Sequence, residues 1–185
     1  IRRPDAIAVV EKYTSTPGQA LAIMKISRAM FTWGLQREYV DFNPFAQVVT
    51  AVPAIKPQPK TRALSDEEIK HLWQALLAEK DPRSLSTRRA LLFVLVSAQR
   101  SGEVTGSTRD EISGAWWTIP WERIKTRNKR KENHRVYLSS LALEIISKST
   151  NSTVIYPNAR GNCLASKALS HYVDDHKYWG LQKWT

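Results

Sequence analysis

Ala90-Leu-Leu-Phe-Val-Leu-Val-Ser-Ala-Gln-Arg-Ser-Gly-Glu-Val104 is the stretch on which the fold turns. Residues 90–96 are apolar without a break, so the helix predicted over 84–99 is apolar all round and deeply buried. The run is the longest of its kind here, and far short of the ~20 residues that cross a bilayer. It ends at a small residue, Ala98, followed by Arg100 and then Glu103. A buried helix that delivers an arginine at its end holds the stem of that side chain rigidly. The structural alternative is that Arg100 simply pairs with Glu103 or another carboxylate.

Upstream, Ser65-Asp-Glu-Glu68 reads as a capping box, with Ser65 as cap and Glu68 reaching back. Ile69, Leu72, Trp73, Leu76 and Leu77 form the buried stripe of the helix it opens. Before it lies Val52-Pro-Ala-Ile-Lys-Pro-Gln-Pro-Lys-Thr-Arg62, whose three prolines and three basic residues predict an extended, stiff, cationic linker over 51–62. Residues 5–13 predict a short helix. Thr16 can cap a second one, with Pro17 at its first position, where a missing N–H costs nothing. Ala20, Ile23, Met24, Met30, Phe31 and Leu35 recur at helical spacing through Gln36, and Asn43-Pro44 ends the segment.

Downstream, 115–120 and 134–138 read as strands, 141–146 as a helix, 154–156 as a short strand and 164–179 as a last helix. The expected fold class is α+β: mainly α with a small antiparallel sheet, a helical lobe at 1–50, the linker at 51–62 and a second lobe at 63–185. Most of the seven Trp are expected in the core or packed on strands.

Lys and Arg number 28 against 17 Asp and Glu, and the pI is near 10. Such a charge favours a polyanion: DNA, RNA or an acidic membrane surface. The charge is concentrated. From Arg123 to Arg135, seven of thirteen residues are Lys or Arg and one is acidic. Charges this dense repel one another; a solvated hairpin tip tolerates them, and a phosphate backbone rewards them through counterion release. The candidate DNA contacts are therefore Arg123, Arg127, Lys129, Arg130, Lys131 and Arg135, with Lys56, Lys60 and Arg62 of the linker. The one cysteine, Cys163, excludes an internal disulfide and a Cys-rich zinc site, as in an ordinary reduced cytoplasmic protein.

Taken together these segments resemble the tyrosine recombinases, the family of phage-type integrases. Ala98, Arg100 and Glu103 resemble the family's first arginine box. Trp117-Thr-Ile-Pro-Trp-Glu-Arg-Ile-Lys125 and His134-Arg-Val-Tyr-Leu-Ser139 are similar to its second and third strands and the lysine-bearing turn between them. Ala63 to Glu68 resembles the start of its catalytic domain. Trp33, Gly34 and Asn43-Pro44 resemble the end of its helical core-binding domain. Each motif alone is weak; four in order, across nearly the whole chain, are specific.

The resemblance implies 1–50 as part of the core-binding domain and 63–185 as the first part of the catalytic domain. It also implies a site-specific recombinase that cuts and rejoins DNA through a phosphotyrosine, consuming neither metal nor nucleotide, so no cofactor is expected. Arg100 would hold the transition-state phosphate, Glu103 would support it by orienting Arg100, and Lys125 would protonate the leaving 5′ oxygen from a mobile turn. Lys129 and Lys131 rival Lys125, because sequence leaves the hairpin register open. The implied partners are double-stranded DNA attachment sites, other protomers in a tetrameric synapse, and in some systems accessory DNA-bending proteins. The implied setting is a prophage or genomic island in the bacterial cytoplasm, at the nucleoid.

The family's His-x-x-Arg box and nucleophilic Tyr are not identifiable. His171 and His176 lack the following Arg, Tyr172 and Tyr178 lie upstream of where that box belongs, and both ends of the sequence look like cuts, so the chain alone is expected to be inactive. Ser107 stands where the family carries an apolar residue, a departure expected to loosen local packing. Two other readings stay open at this level: a non-catalytic DNA-binding module, and an RNA-binding protein, the latter weakened by the lack of an aromatic stacking motif.

Overall fold

The computed structural model describes residues 1–55, 63–125, 131–151 and 153–176. The chain divides into two compact units, Ile1–Ala63 and Leu64–Thr185.

In the first unit α1 (Arg3–Glu11) and α2 (Pro17–Leu35) are followed by α3 (Val48–Ala51) and a 3-10 turn (Pro53–Ile55). Pro17 opens α2 as expected, but Thr16 makes no side-chain cap. Its hydroxyl lies against the carbonyl of Tyr13 and Oε1 of Gln19. Ala20 and Met24 are buried, whereas Met30 and Leu35 of the expected stripe are exposed. Asn43 closes α2 by donating through Nδ2 to the Arg28 carbonyl and Thr32 Oγ1, at 2.9 and 2.8 Å. The expected linker begins folded. Val52 and Ile55 are buried with Ala6, Val10, Phe45 and Val48 in the core of this unit. Their apolar burial outweighs the extended bias of the prolines beside them. Residues 56–62 lie outside the described part, and with them Lys56, Lys60 and Arg62.

The second unit is the α+β fold that the sequence predicts. It runs α4 (Asp66–Ala78), α5 (Leu85–Ser97), α6 (Ser101–Thr105), β1 (Ile112–Ser113), β2 (Trp116–Ile119), β3 (His134–Tyr137), α7 (Ser140–Ser147) and α8 (Ala168–Asp175). The Ser65 capping box forms: Ser65 Oγ accepts from Glu68 N, and Glu68 Oε2 accepts from Ser65 N at 2.9 Å. Leu72 and Leu76 of the α4 stripe are buried, while Ile69 and Leu77 at its margins are exposed. Of the 90–96 run, Ala90, Leu92 and Phe93 are fully buried; the others pack partly exposed against the core.

The sheet is antiparallel with order β1-β2-β3. The short β1 was not legible in the sequence, being two residues long. It meets β2 across the turn Gly114-Ala115, where Gly114 takes φ +56°, a backbone that glycine adopts without steric cost. Trp117 pairs with Val136 and faces the core, while Trp116 pairs with Tyr137 on the exposed face. Of the five described Trp, Trp117 alone is fully buried; Trp73 packs against the core, Trp116 packs on the strands against Tyr137, and Trp33 is exposed.

Residues 154–156 do not extend this sheet. Val154 forms an isolated bridge with Thr108, and Ile155 N donates to the Ser107 carbonyl. The loop after α6 thus takes the hydrogen bonds that a sheet edge would have offered. The last helix begins later than expected because Leu164 N donates back to the Tyr156 carbonyl. Ser107 does not loosen the packing: it is buried, and its Oγ donates to the Val104 carbonyl at 2.7 Å.

Tyr156 is buried beside Phe93, ring centroids 5.9 Å apart, and its hydroxyl finds no partner among the described residues. Burial pushes that phenol well above its ordinary pKa, against the opposing pull of Arg109 and Arg89. Tyr156→Phe is expected to leave stability unchanged or raise it by about 1 kcal/mol, since it removes a buried polar group without a partner. Urea unfolding checks this, and a loss above about 1 kcal/mol would show that the hydroxyl is satisfied after all.

Candidate functional site

The predicted helix over 84–99 ends as α5 at Ser97. Ala98 then adopts a left-handed backbone, φ 53° and ψ 22°, while its N–H still donates to Val94. A larger or branched side chain is disfavoured in that conformation, which gives the small residue at 98 a physical reason. Arg100, expected directly after a buried helix running to Gln99, is instead separated from the end of α5 and is the N-cap of the short helix α6, with extended backbone.

Its position is set by Glu103. The Glu103 carboxylate accepts from the Arg100 backbone N–H at 3.3 Å and from Nη1 at 3.1 Å. The Glu103 side chain is 4% exposed and that of Arg100 61%. A buried carboxylate thus grips one nitrogen of a guanidinium whose remaining donors face solvent. This arrangement holds a cationic fork at the surface, where an anionic ligand can reach it.

Lys125 is exposed on the turn that follows the 3-10 turn Trp121–Arg123, itself directly after β2. Lys131 and Arg135 approach the hairpin from its other side and are exposed. Each sits over an indole: Lys131 Nζ is 5.9 Å from the Trp121 ring, and Arg135 Cζ is 4.5 Å from that of Trp116. Cation–π contact restrains such side chains while leaving their donors free to meet an anion. Arg127, Lys129 and Arg130 fall in residues 126–130, outside the described part.

Arg123 differs from the phosphate contact expected of it. Its Nη1 and Nη2 lie 2.5 and 2.6 Å from the two oxygens of Glu111, and Nη1 also donates to the Gly106 carbonyl. Glu111 accepts as well from Trp117 Nε1 at 2.9 Å. The partner of Arg123 comes from twelve residues away, which no local motif reveals. Tyr172, which lies upstream of where the His-x-x-Arg box belongs, is buried in the core of the second unit. Tyr178 lies outside the described residues. Among the described residues no cluster of His, Cys, Asp and Glu could hold a metal ion, and no helix is long and apolar enough to cross a membrane.

No protein-family model and no curated protein matches the chain. Solved structures do. Lambda integrase residues 75–356, a dimer bound to a COC′ core site, superposes with TM-score 0.74 at 16% identity, covering 99% of this chain and 67% of that one. A lambda integrase tetramer bound to a Holliday junction gives 0.74 at 17% identity, covering 99% and 54%. The Tn1549 transposon integrase, residues 82–397, in complex with circular intermediate DNA gives 0.63 at 11% identity, covering 100% and 68%. The chain therefore has the fold of these integrases and spans between about half and two thirds of their length.

Proposed function

We propose that this chain, folded as a tyrosine recombinase is, forms the DNA-binding portion of a site-specific integrase that moves a phage or genomic island into and out of a bacterial chromosome. In that reading residues 1–50 belong to the core-binding domain and 63–185 to the first part of the catalytic domain. The partners are duplex attachment sites and further protomers of the same protein, at the nucleoid of the bacterial cytoplasm.

One observation carries the reading above the others: the Arg100 guanidinium is exposed while the carboxylate that holds it is buried. That arrangement leaves donors of the guanidinium available to an anionic ligand. In the reaction a tyrosine oxygen bonds to phosphorus as the bond from phosphorus to the 5′ oxygen breaks. Arg100 meets the non-bridging oxygens as their charge grows, Glu103 orients it, and the Lys125 ammonium gives a proton to the departing 5′ oxygen. Lys131, Arg135 and the cations of 126–130 supply sequence-independent affinity for the backbone.

The interface is tested by duplex binding across a salt series. Replacing Lys129, Arg130 and Lys131 together with Gln is expected to flatten the dependence of log affinity on log salt by up to ~3, at roughly 0.9 per phosphate contact. An unchanged slope would mean that the hairpin is a solvated loop. Binding of duplex no tighter than an uncharged polymer surface would remove DNA as the partner altogether.

A further inference from the structure

Arg123 ends the 3-10 turn after β2, two residues before Lys125. Gly106 is the C-cap of α6, whose N-cap is Arg100. One side chain joins these two places. Arg123 lays both terminal nitrogens on the Glu111 carboxylate, at 2.5 and 2.6 Å, and donates from Nη1 to the Gly106 carbonyl. Glu111 is held in turn from the middle of β2 by Trp117 Nε1, and its side chain is 7% exposed against 26% for Arg123. Glycine at 106 leaves the space that this contact needs. Its φ of −91° suits any residue, but a Cβ there would lie 3.2 Å from Arg123 Cδ.

A half-buried ion pair is a poor device for stability, because desolvation offsets most of its attraction. It is a good device for geometry: the guanidinium is planar, its two-point contact admits one orientation, and its third contact fixes a second element. We infer that Arg123 and Glu111 are positioning residues, which hold the turn bearing Lys125 to the end of the helix begun by Arg100. The inference rests on the proposed role of Lys125 as proton donor to the 5′ oxygen. The gap between the donor's backbone and that of the phosphate-binding arginine is then set by Arg123.

The test uses the full-length protein and nicked duplexes of its own attachment site. Arg123→Lys keeps the charge and loses the fork. Single-turnover cleavage of the ordinary phosphodiester is expected to fall roughly 10- to 100-fold, the scale for displacing a general acid. Binding of intact site DNA should stay within a few-fold. A substrate whose leaving group is a 5′ thiol needs no proton, and should bring cleavage back close to that of the unaltered protein.

Lys125→Ala is run beside it. Rescue of Lys125→Ala without rescue of Arg123→Lys, or an Arg123→Lys protein that cleaves normally, overturns the inference and leaves the reading of Lys125 intact. Failure to rescue Lys125→Ala overturns that reading instead, and the clamp is then judged by amide hydrogen exchange in the present chain. The Arg123 and Ile124 amides donate to Pro120 and Trp121 at 3.1 Å. They should exchange faster in Arg123→Lys while those of α5 do not; unchanged exchange overturns the clamp. Should Arg123→Lys fail to fold, Glu111→Gln serves for both readouts, since it keeps an oxygen for Trp117 Nε1 and loses the charge.

Discussion

In the full-length protein, Arg100→Lys is expected to lower DNA cleavage by ~100-fold or more, the scale for losing one preorganised donor at a centre of developing charge. Binding of intact attachment-site DNA should change only a few-fold. The two effects separate because of how Arg100 is held. Glu103, almost wholly buried, takes the Arg100 backbone N–H and Nη1, which tethers the fork at the surface by one of its nitrogens. Lysine offers a point charge without a fork, so it can still attract a backbone but cannot meet two oxygens at once. Ground-state affinity is supplied largely by the other cations, and only interactions that strengthen in the transition state raise the chemical rate. Single-turnover cleavage and a gel-shift titration read the two quantities apart. A 5′-thiol substrate should not rescue this variant, because the loss does not concern a proton. Arg100→Lys protein that cleaves well, or that chiefly loses affinity, would contradict the role assigned to Arg100.

Trp117→Ala is expected to cost about 3 to 5 kcal/mol of stability, the range for truncating a large buried aromatic. Trp117 is fully buried, packs 5.5 Å from the Phe93 ring and donates Nε1 to Glu111. The substitution empties the centre of the second unit and deprives a buried carboxylate of a donor, a further penalty of about 1 to 3 kcal/mol. Against a total stability of typically 5 to 15 kcal/mol, that brings the fold close to its threshold. Trp117→Phe separates the two contributions, since it keeps most of the apolar contact and loses the donor; its cost should be about 1 to 3 kcal/mol. Urea unfolding measures both. A Trp117→Ala cost below about 1.5 kcal/mol would mean that the site collapses around the missing ring and that the core is not organised on it.

Much of the architecture is written locally. The Ser65 capping box, Pro17 at the start of α2, the apolar run of α5 and the in-out alternation of β2 depend on residues within a turn or a strand of one another, so they can be read from the order of residues. The concentration of cations around the hairpin and the adjacency of Arg100 to Glu103 are equally local, and they make the candidate site legible in the sequence. Other features are settled over distance. Arg123 counts as one more cation in a basic run until Glu111, twelve residues earlier, and the Gly106 carbonyl close on it. Met30 and Leu35 have the spacing of a buried stripe, yet both are exposed. Val52 and Ile55 sit among prolines that favour an extended chain, and are drawn into a core that includes residues as distant as Ala6 and Val10. Residues 154–156 have strand-like composition, but the loop after α6 takes their hydrogen bonds. In each case propensity and charge pattern describe what a residue can do among its neighbours in sequence. Burial and pairing depend on which distant groups arrive, and that is settled when the chain folds.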